Sequence, residues 1–335
     1  MNGTAITIPR QFGRLQGWLL AVILVAAALG GVVWHLRAPF DPGFVEYPMP
    51  VKTDIPAAIA AAPNGAVWFT IEFSDAIGVF RDGKIERLRK GGQNLEPLGL
   101  APDASGGAWF TDTPMRAISH ISPDGSIRSF PLPTPIVRFG RLALAPDGAV
   151  WFADITTASV TRLRDGEFAR YDVGSLGATP YGIAIDVGGS VWTTLQGAEQ
   201  LGFIASGSQV TAFDVPTRNS GLSDLAVDRS GAVWLLEMRA NQLARFADGR
   251  FAEFAVPAPS AGLTAVAAAP DGAVWFTEIS AGKLGRLRDG RISEFPLPRA
   301  NARPFAMTID SANNVWYSDL SGSLGMLPAI AATGR

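Results

Sequence analysis

The sequence contains no cysteine and only two histidines, His35 and His120. The first absence excludes disulfides, thiolate metal sites and cysteine nucleophiles, and it fits either side of a bacterial membrane. The second leaves no histidine cluster to hold a metal, and neither a nucleophile elbow nor a phosphate loop is present. A strong charge of one sign is also missing. Residues 1–40 carry Arg10, Arg14 and Arg37 and no acid, so the remainder holds 25 basic against 30 acidic residues, a net of −5. A chain without a broad basic footprint is not built for nucleic acid. Helix-length periodic runs are absent after Arg37, where apolar pieces of five or six residues end at Gly, Pro or Asp-Gly. Hydrophobic content of 47% excludes disorder, and 37 Gly with 24 Pro require many turns.

One long apolar run is present. Leu15 to Trp34 is uncharged, and about 20 residues at ~1.5 Å each span the ~30 Å hydrocarbon core of a bilayer. Arg10 and Arg14 precede it, and the positive-inside tendency then puts the amino terminus in the cytoplasm. The expected organisation is a cytoplasmic N-terminus (1–14), a transmembrane signal anchor (15–36), a tether (37–43), a main domain (44–327) and a tail (328–335). The competing reading is a signal peptide cleaved near Ala26 and Ala28. Either way the main domain is exported. The anchored form is a single-pass protein of the inner, cytoplasmic membrane, with its domain on the periplasmic or extracellular side.

The other seven tryptophans, Trp68, Trp109, Trp151, Trp192, Trp234, Trp275 and Trp316, recur every 41 or 42 residues. A period of that length fits propeller blades. The repeat from Leu263 to Pro298 divides as LTAVAA, APDG, AVWFTE, ISAG, KLGRL, RDG, RISEF and PLP, which reads as four short strands joined by tight turns. Seven such units predict an all-β, seven-bladed β-propeller of four-stranded blades. The last repeat lacks a fourth strand, and FVEYPMP, Phe44 to Pro50, matches the missing ISEFPLP. An N-terminal strand is therefore expected to complete the last blade and cover its edge.

Alignment on the tryptophans turns sequence columns into places. Eight residues before each Trp stand Ala60, Ala101, Ala143, Ala184, Ala226, Ala267 and Thr308, small side chains suited to the crowded inner strand. Ile59, Leu100, Leu142, Ile183 and Leu225 beside them are expected in the wider gaps between sheets, and the tryptophans are read as inter-blade packing. Three residues after each Trp come Ile71, Asp112, Asp154, Leu195, Glu237, Glu278 and Asp319. This column predicts an acidic rim around one channel mouth. It serves either to accept backbone N–H groups at strand ends or to bind a cation or cationic ligand. Eleven residues before each Trp, at the same mouth, stand Ala57, Leu98, Gly140, Tyr181, Ser223, Thr264 and Phe305. The next column reads Ala58, Gly99, Arg141, Gly182, Asp224, Ala265 and Ala306, so Arg141 and Asp224 replace Ala or Gly. They are either a structural buried pair or part of a site. His120 falls on the third strand, where Arg162, Arg245 and Arg286 stand in other repeats, and is expected on a solvated face.

The repeats TPYGIAID at Thr179, DGAVWFTEISAGKLGRLRDGRISEFPLP at Asp271 and NARPFAMTID at Asn301 resemble the streptogramin lyase (virginiamycin B lyase) family of seven-bladed propellers. The likeness covers roughly Phe44 to Leu327. It implies opening of a cyclic depsipeptide antibiotic by elimination at its ester, with Mg²⁺ and a histidine base. In the slots where that family carries its histidines this sequence has Thr264 and Phe305, and Arg303 replaces a carboxylate before the last Pro, while Asp319 is retained. Phenylalanine cannot abstract a proton and arginine repels Mg²⁺. Two functions are therefore weighed. One is a membrane-tethered binding propeller that holds a small molecule, peptide or partner protein at its mouth through Arg141, Tyr181, Asp224, Glu237, Glu278, Arg303 and Phe305. The other is a lyase or a lactone hydrolase similar to gluconolactonase propellers, with Mg²⁺ or Ca²⁺ on Asp319 and Glu278. Asp319→Ala is expected to leave folding intact, a large loss of stability being the sign of a structural rim.

Overall fold

A computed structural model describes residues 43–92, 97–134, 138–175, 177–205 and 209–333. The expected anchor, 15–36, and almost all of the tether, 37–43, lie outside the described residues. Among the described residues no helix is long and apolar enough to cross a membrane.

The described chain forms seven antiparallel sheets of four strands each. The inner strands, among them Ile55–Ala61, Leu100–Pro102, Phe139–Leu144 and Pro304–Ile309, each pack against the inner strand of the next blade. The last blade's inner strand meets the first blade's, so the ring closes. The expected seven-bladed propeller is what forms.

Local sequence explains each blade. The hairpin between third and fourth strands turns on Asp289 and Gly290, with φ of 50° and 73°. Both residues of such a turn need positive φ, which asparagine, aspartate and glycine accept most readily. At the other hairpin Asp271 Oδ1 accepts the Ala273 N–H, and the same bond recurs from Asp147 to Ala149. The tryptophans pack in the cores between blades, with Trp68 fully buried and Trp275 2% exposed. Trp234 and Trp316 also donate their indole N–H to Asp228 and Asp310 of their own turns. His120 is not on an open face. Its ring packs at a tilt against Trp109, with centroids 4.9 Å apart, and contacts Asp103 at 2.6 Å, in the place where Arg162 and Arg286 lie over Trp151 and Trp275.

The last blade consists of Pro304–Ile309, Val315–Asp319, Ser323–Leu327 and the N-terminal strand Val45–Pro48. Val45 pairs with Met326 and Pro48 with Ser323, so the expected closing strand is present. Because Ser323 follows the turn at the mouth and Leu327 ends on the opposite side, the described chain enters the ring on the face away from the mouth. Arg299 ties the closure by reaching Glu46 of this strand at 3.1 Å and Asp319 at 2.7 Å. The tail adds a short helix, Ala329–Thr333, held at its start by Ala329 N–H to Asn314 Oδ1.

Candidate functional site

Every described inner strand but one carries a register shift near its mouth end, for example between Pro304 and Met307. A shift of this kind frees a backbone N–H from the ladder. In five blades a hydroxyl two residues after the Trp satisfies it. Thr70, Thr111, Thr194, Thr277 and Ser318 accept from Ala58, Gly99, Gly182, Ala265 and Ala306. Four of these hydroxyls also donate to the next blade, at Pro97 just before its inner strand and at Ser223, Phe305 and Ala57 within theirs. The result is a belt of hydroxyl ties around the axis just inside the mouth.

The belt is interrupted in the third and fifth blades, where the hydroxyl position holds Ala153 and Leu236. Those are the two blades that carry Arg141 and Asp224. The Arg141 side chain spans the axis. Its Nη1 donates to the Leu98 carbonyl at 3.3 Å and its Nη2 to the Thr264 carbonyl at 3.4 Å. Nη2 stands 3.8 Å from Asp224 Oδ2, and the guanidinium lies 5.8 Å from the Phe305 ring. One side chain from the third blade therefore touches the second, fifth, sixth and seventh. The side chains of Arg141 and Asp224 are 11% and 13% exposed. Burial pushes the Asp224 carboxyl above its usual range, with Arg141 and the backbone N–H groups of Leu225 and Val266 opposing the rise. Tyr181 interacts electrostatically with Arg141.

A cavity of about 140 Å³ adjoins the pair. Ile59, Leu100, Leu142, Ile183 and Leu225, expected only between the sheets, also form its walls together with Met307. Arg141 and Leu98 line this axial cavity, and the same Arg141 reaches the mouth residues Thr264 and Phe305.

The expected acidic rim is corrected by the structure. Asp112, Asp154, Glu237, Glu278 and Asp319 are between 0% and 3% exposed, folded under the turns between second and third strands. Asp154 Oδ1 accepts the Thr157 N–H, Asp112 meets Lys90 at 3.3 Å, and Glu237 Oε2 accepts from Gln242. Asp319 Oδ1 accepts the N–H groups of Arg303 and Ser321, while Oδ2 faces Arg299. Connecting segments cross these strand ends, so the carboxylates serve the loops and not the mouth. Of the anticipated site residues, the structure gathers Arg141, Tyr181, Asp224 and Phe305 on the axis. Glu237 and Glu278 stand apart in the blades, and Arg303 is exposed with its backbone on Asp319. The Thr/Ser column two places after Trp was not used in the sequence reading, and its gaps at Ala153 and Leu236 mark the same two blades.

The family's metal does not fit these residues. Mg²⁺ needs several free oxygen donors, whereas both Asp319 oxygens already accept hydrogen bonds and Thr264 Oγ1 bonds the Phe305 carbonyl at 2.7 Å and Thr277 at 2.8 Å. Among the described residues no group of three or more His, Asp or Glu side chains is arranged to hold a metal ion.

Comparison with known proteins agrees with the geometry. The virginiamycin B lyase family profile matches residues 37–164 and 140–333. A virginiamycin B lyase of Nocardia farcinica is 33% identical over 204 residues, which is 59% of this chain and 68% of that protein. A catalytically inactive histidine-to-alanine variant of the Staphylococcus aureus virginiamycin B lyase, solved with quinupristin, superposes with a TM-score of 0.80 at 26% identity, over 85% of this chain and 98% of that one. A streptogramin B lyase structure gives the same TM-score of 0.80 at 25% identity, over 84% and 96% of the two chains. On the profile match, the identity to a curated relative and the superposed ring, this chain belongs to the virginiamycin B lyase family.

Proposed function

We propose that this chain is a membrane-tethered, extracytoplasmic propeller that binds a small molecule or peptide at its mouth without opening it. The observation that carries this reading is the content of the mouth. Phe305 offers no titratable group, the Thr264 hydroxyl is engaged by Phe305 and Thr277, and Arg141 holds a positive charge on the axis. Elimination needs a base within reach of the proton it removes. The sequence has two histidines, and His120 is bonded to Asp103 beside Trp109, away from the mouth. In the Staphylococcus aureus relative, a catalytically inactive variant is still found with quinupristin, so binding there survives without turnover. The tether is carried over from the uncharged run Leu15 to Trp34, and the described chain enters the ring on the face opposite the mouth, as that reading requires.

The alternative, a metal-dependent lyase or lactone hydrolase, requires carboxylates that reach the ligand. Asp319 and Glu278 are both fully buried, which argues against it. Calorimetric titration of the full chain tests the choice. Mg²⁺ and Ca²⁺ at millimolar concentration are expected to give no saturable heat. Quinupristin, used as probe, is expected to bind, with Phe305→Ala weakening it about ten-fold, as loss of a central aromatic anchor does. Saturable cation binding that quinupristin requires would instead support the metalloenzyme.

A further inference from the structure

Two columns of the repeat depart together. In the third and fifth blades the small residue of the inner strand becomes Arg141 or Asp224, and the hydroxyl that ties the strand becomes Ala153 or Leu236. Paired departures in the same two blades place a specialised pair on the axis of an otherwise regular ring.

The Arg141 guanidinium is loosely held. It has five N–H donors, and its hydrogen bonds to Leu98 and Thr264 are 3.3 and 3.4 Å, longer than the usual ~2.9–3.0 Å. Its Nε is buried without a hydrogen-bond partner, and the carboxylate of Asp224 stays 3.8 Å away. An ion pair kept for stability closes to a short, often bidentate contact. Asp224 meanwhile has its own partners in the N–H groups of Leu225 and Val266. The pair therefore leaves donor capacity on the arginine, and a buried donor without an acceptor is costly. Beside it lies the cavity of about 140 Å³, open on one side and lined by Arg141 and Asp224 as well as by Ile59, Leu142, Leu225 and Met307. A volume of this order takes a benzene-sized group, and here one with a polar end facing the charged pair.

We infer that Arg141 is the anchor for a carboxylate carried by the mouth's ligand, and that the axial cavity takes the small apolar group bearing that carboxylate. This rests on the reading of the mouth as a ligand site. A carboxylate matches the planar guanidinium through two parallel bonds. Asp224 limits the charge that can be accepted, because each added negative charge meets its carboxylate across the axis. A monoanion is thereby preferred to a phosphate dianion, and a neutral amide gains neither the charge nor the second acceptor.

Benzoate, which is of cavity size, tests this on the full chain by calorimetry at fixed ionic strength, with benzamide as its neutral counterpart. Benzoate is expected to bind saturably and benzamide at least about ten-fold more weakly. Arg141→Met is expected to remove benzoate binding while the melting curve stays cooperative, and Asp224→Asn to tighten it several-fold by removing the opposing charge. Absence of benzoate binding, equal binding of the two probes, or binding that survives Arg141→Met would overturn the inference. If Arg141→Met does not fold, Asp224→Asn decides: tighter benzoate binding supports the anchor, and unchanged or weaker binding contradicts it. Depsipeptide binding without benzoate binding removes this inference alone. Benzoate binding that depends on Arg141, without depsipeptide binding, supports it and removes the quinupristin expectation alone.

Discussion

Glu278 takes both carboxylate oxygens into the interior without a hydrogen-bond partner. Burial pushes its pKa up to about 7, with Glu294 adding to the rise and Lys283 opposing it. The folded state thus holds this proton more tightly than the unfolded chain. Its contribution is harmless below the ordinary carboxylate range, grows more destabilising as pH rises from about 4.5 to about 7, and is constant above. Glu278→Gln is accordingly expected to raise stability at pH 8 by up to about 2–3 kcal/mol and to change little at pH 4, read from denaturant midpoints at the two pH values. Asp319, the matching residue one blade on, is instead fully partnered. It accepts from Arg299, Arg303 and Ser321, so Asp319→Ala is expected to cost about 2–3 kcal/mol at pH 7, read from denaturant midpoints, mainly by leaving two N–H groups without their acceptor, while Arg299 keeps Glu46. This reverses the expectation drawn from sequence. The carboxylate column was legible, but its direction was not, because a strand end is open only where no connecting segment crosses it. At Asp319 the segment carrying Arg299 and Arg303 does cross.

Within a blade, second and third strands are fitted to each other by size. Phe276 pairs with Gly285, Phe69 with Gly78 and Tyr317 with Gly325. A Cβ on Gly285 would stand 2.0 Å from the Phe276 ring, so the aromatic lies flat on the glycine and admits nothing larger. The fifth blade solves the same position differently, with Leu235 opposite Ala244. Gly285→Ala alone is expected to cost about 1–3 kcal/mol by overpacking. Adding Phe276→Leu, which copies the fifth blade, is expected to restore part of the loss, and a double-mutant denaturation series measures the coupling. Strand boundaries and turns were readable because Asp-Gly pairs and the tryptophan period are local signals. The aromatic-on-glycine pairing was not, since it appears only when the register between strands is known.

On the scale of the molecule, closure was readable from two complementary fragments, FVEYPMP at the front and a final repeat without its fourth strand. A ring closed by hydrogen bonds between its own ends has no free sheet edge at the seam. Seven-fold regularity also explains why function was harder to see than fold. Repetition reports what every blade needs, while the proposed ligand site rests on the exceptions, here Arg141, Asp224, Tyr181 and Phe305. The exceptions at Arg141 and Asp224 stood out against Ala and Gly in one column. That they meet across the axis, and that the hydroxyl belt breaks in their blades, required the three-dimensional arrangement. Fold and family alone would assign the relatives' chemistry, whereas the proposed reading is that a mouth with Thr264 and Phe305 in the histidine slots holds a ligand without a histidine base.

Product analysis of a cyclic depsipeptide incubated with the full chain and Mg²⁺ tests that claim most directly. Elimination at a ring ester opens the molecule without changing its mass, hydrolysis adds the mass of one water, and binding alone changes neither. Chromatography with mass detection therefore separates all three. The account predicts that the depsipeptide is recovered intact after co-eluting with the protein. A ring-opened product of either mass, formed by the wild-type chain and abolished by Asp319→Asn, would contradict it.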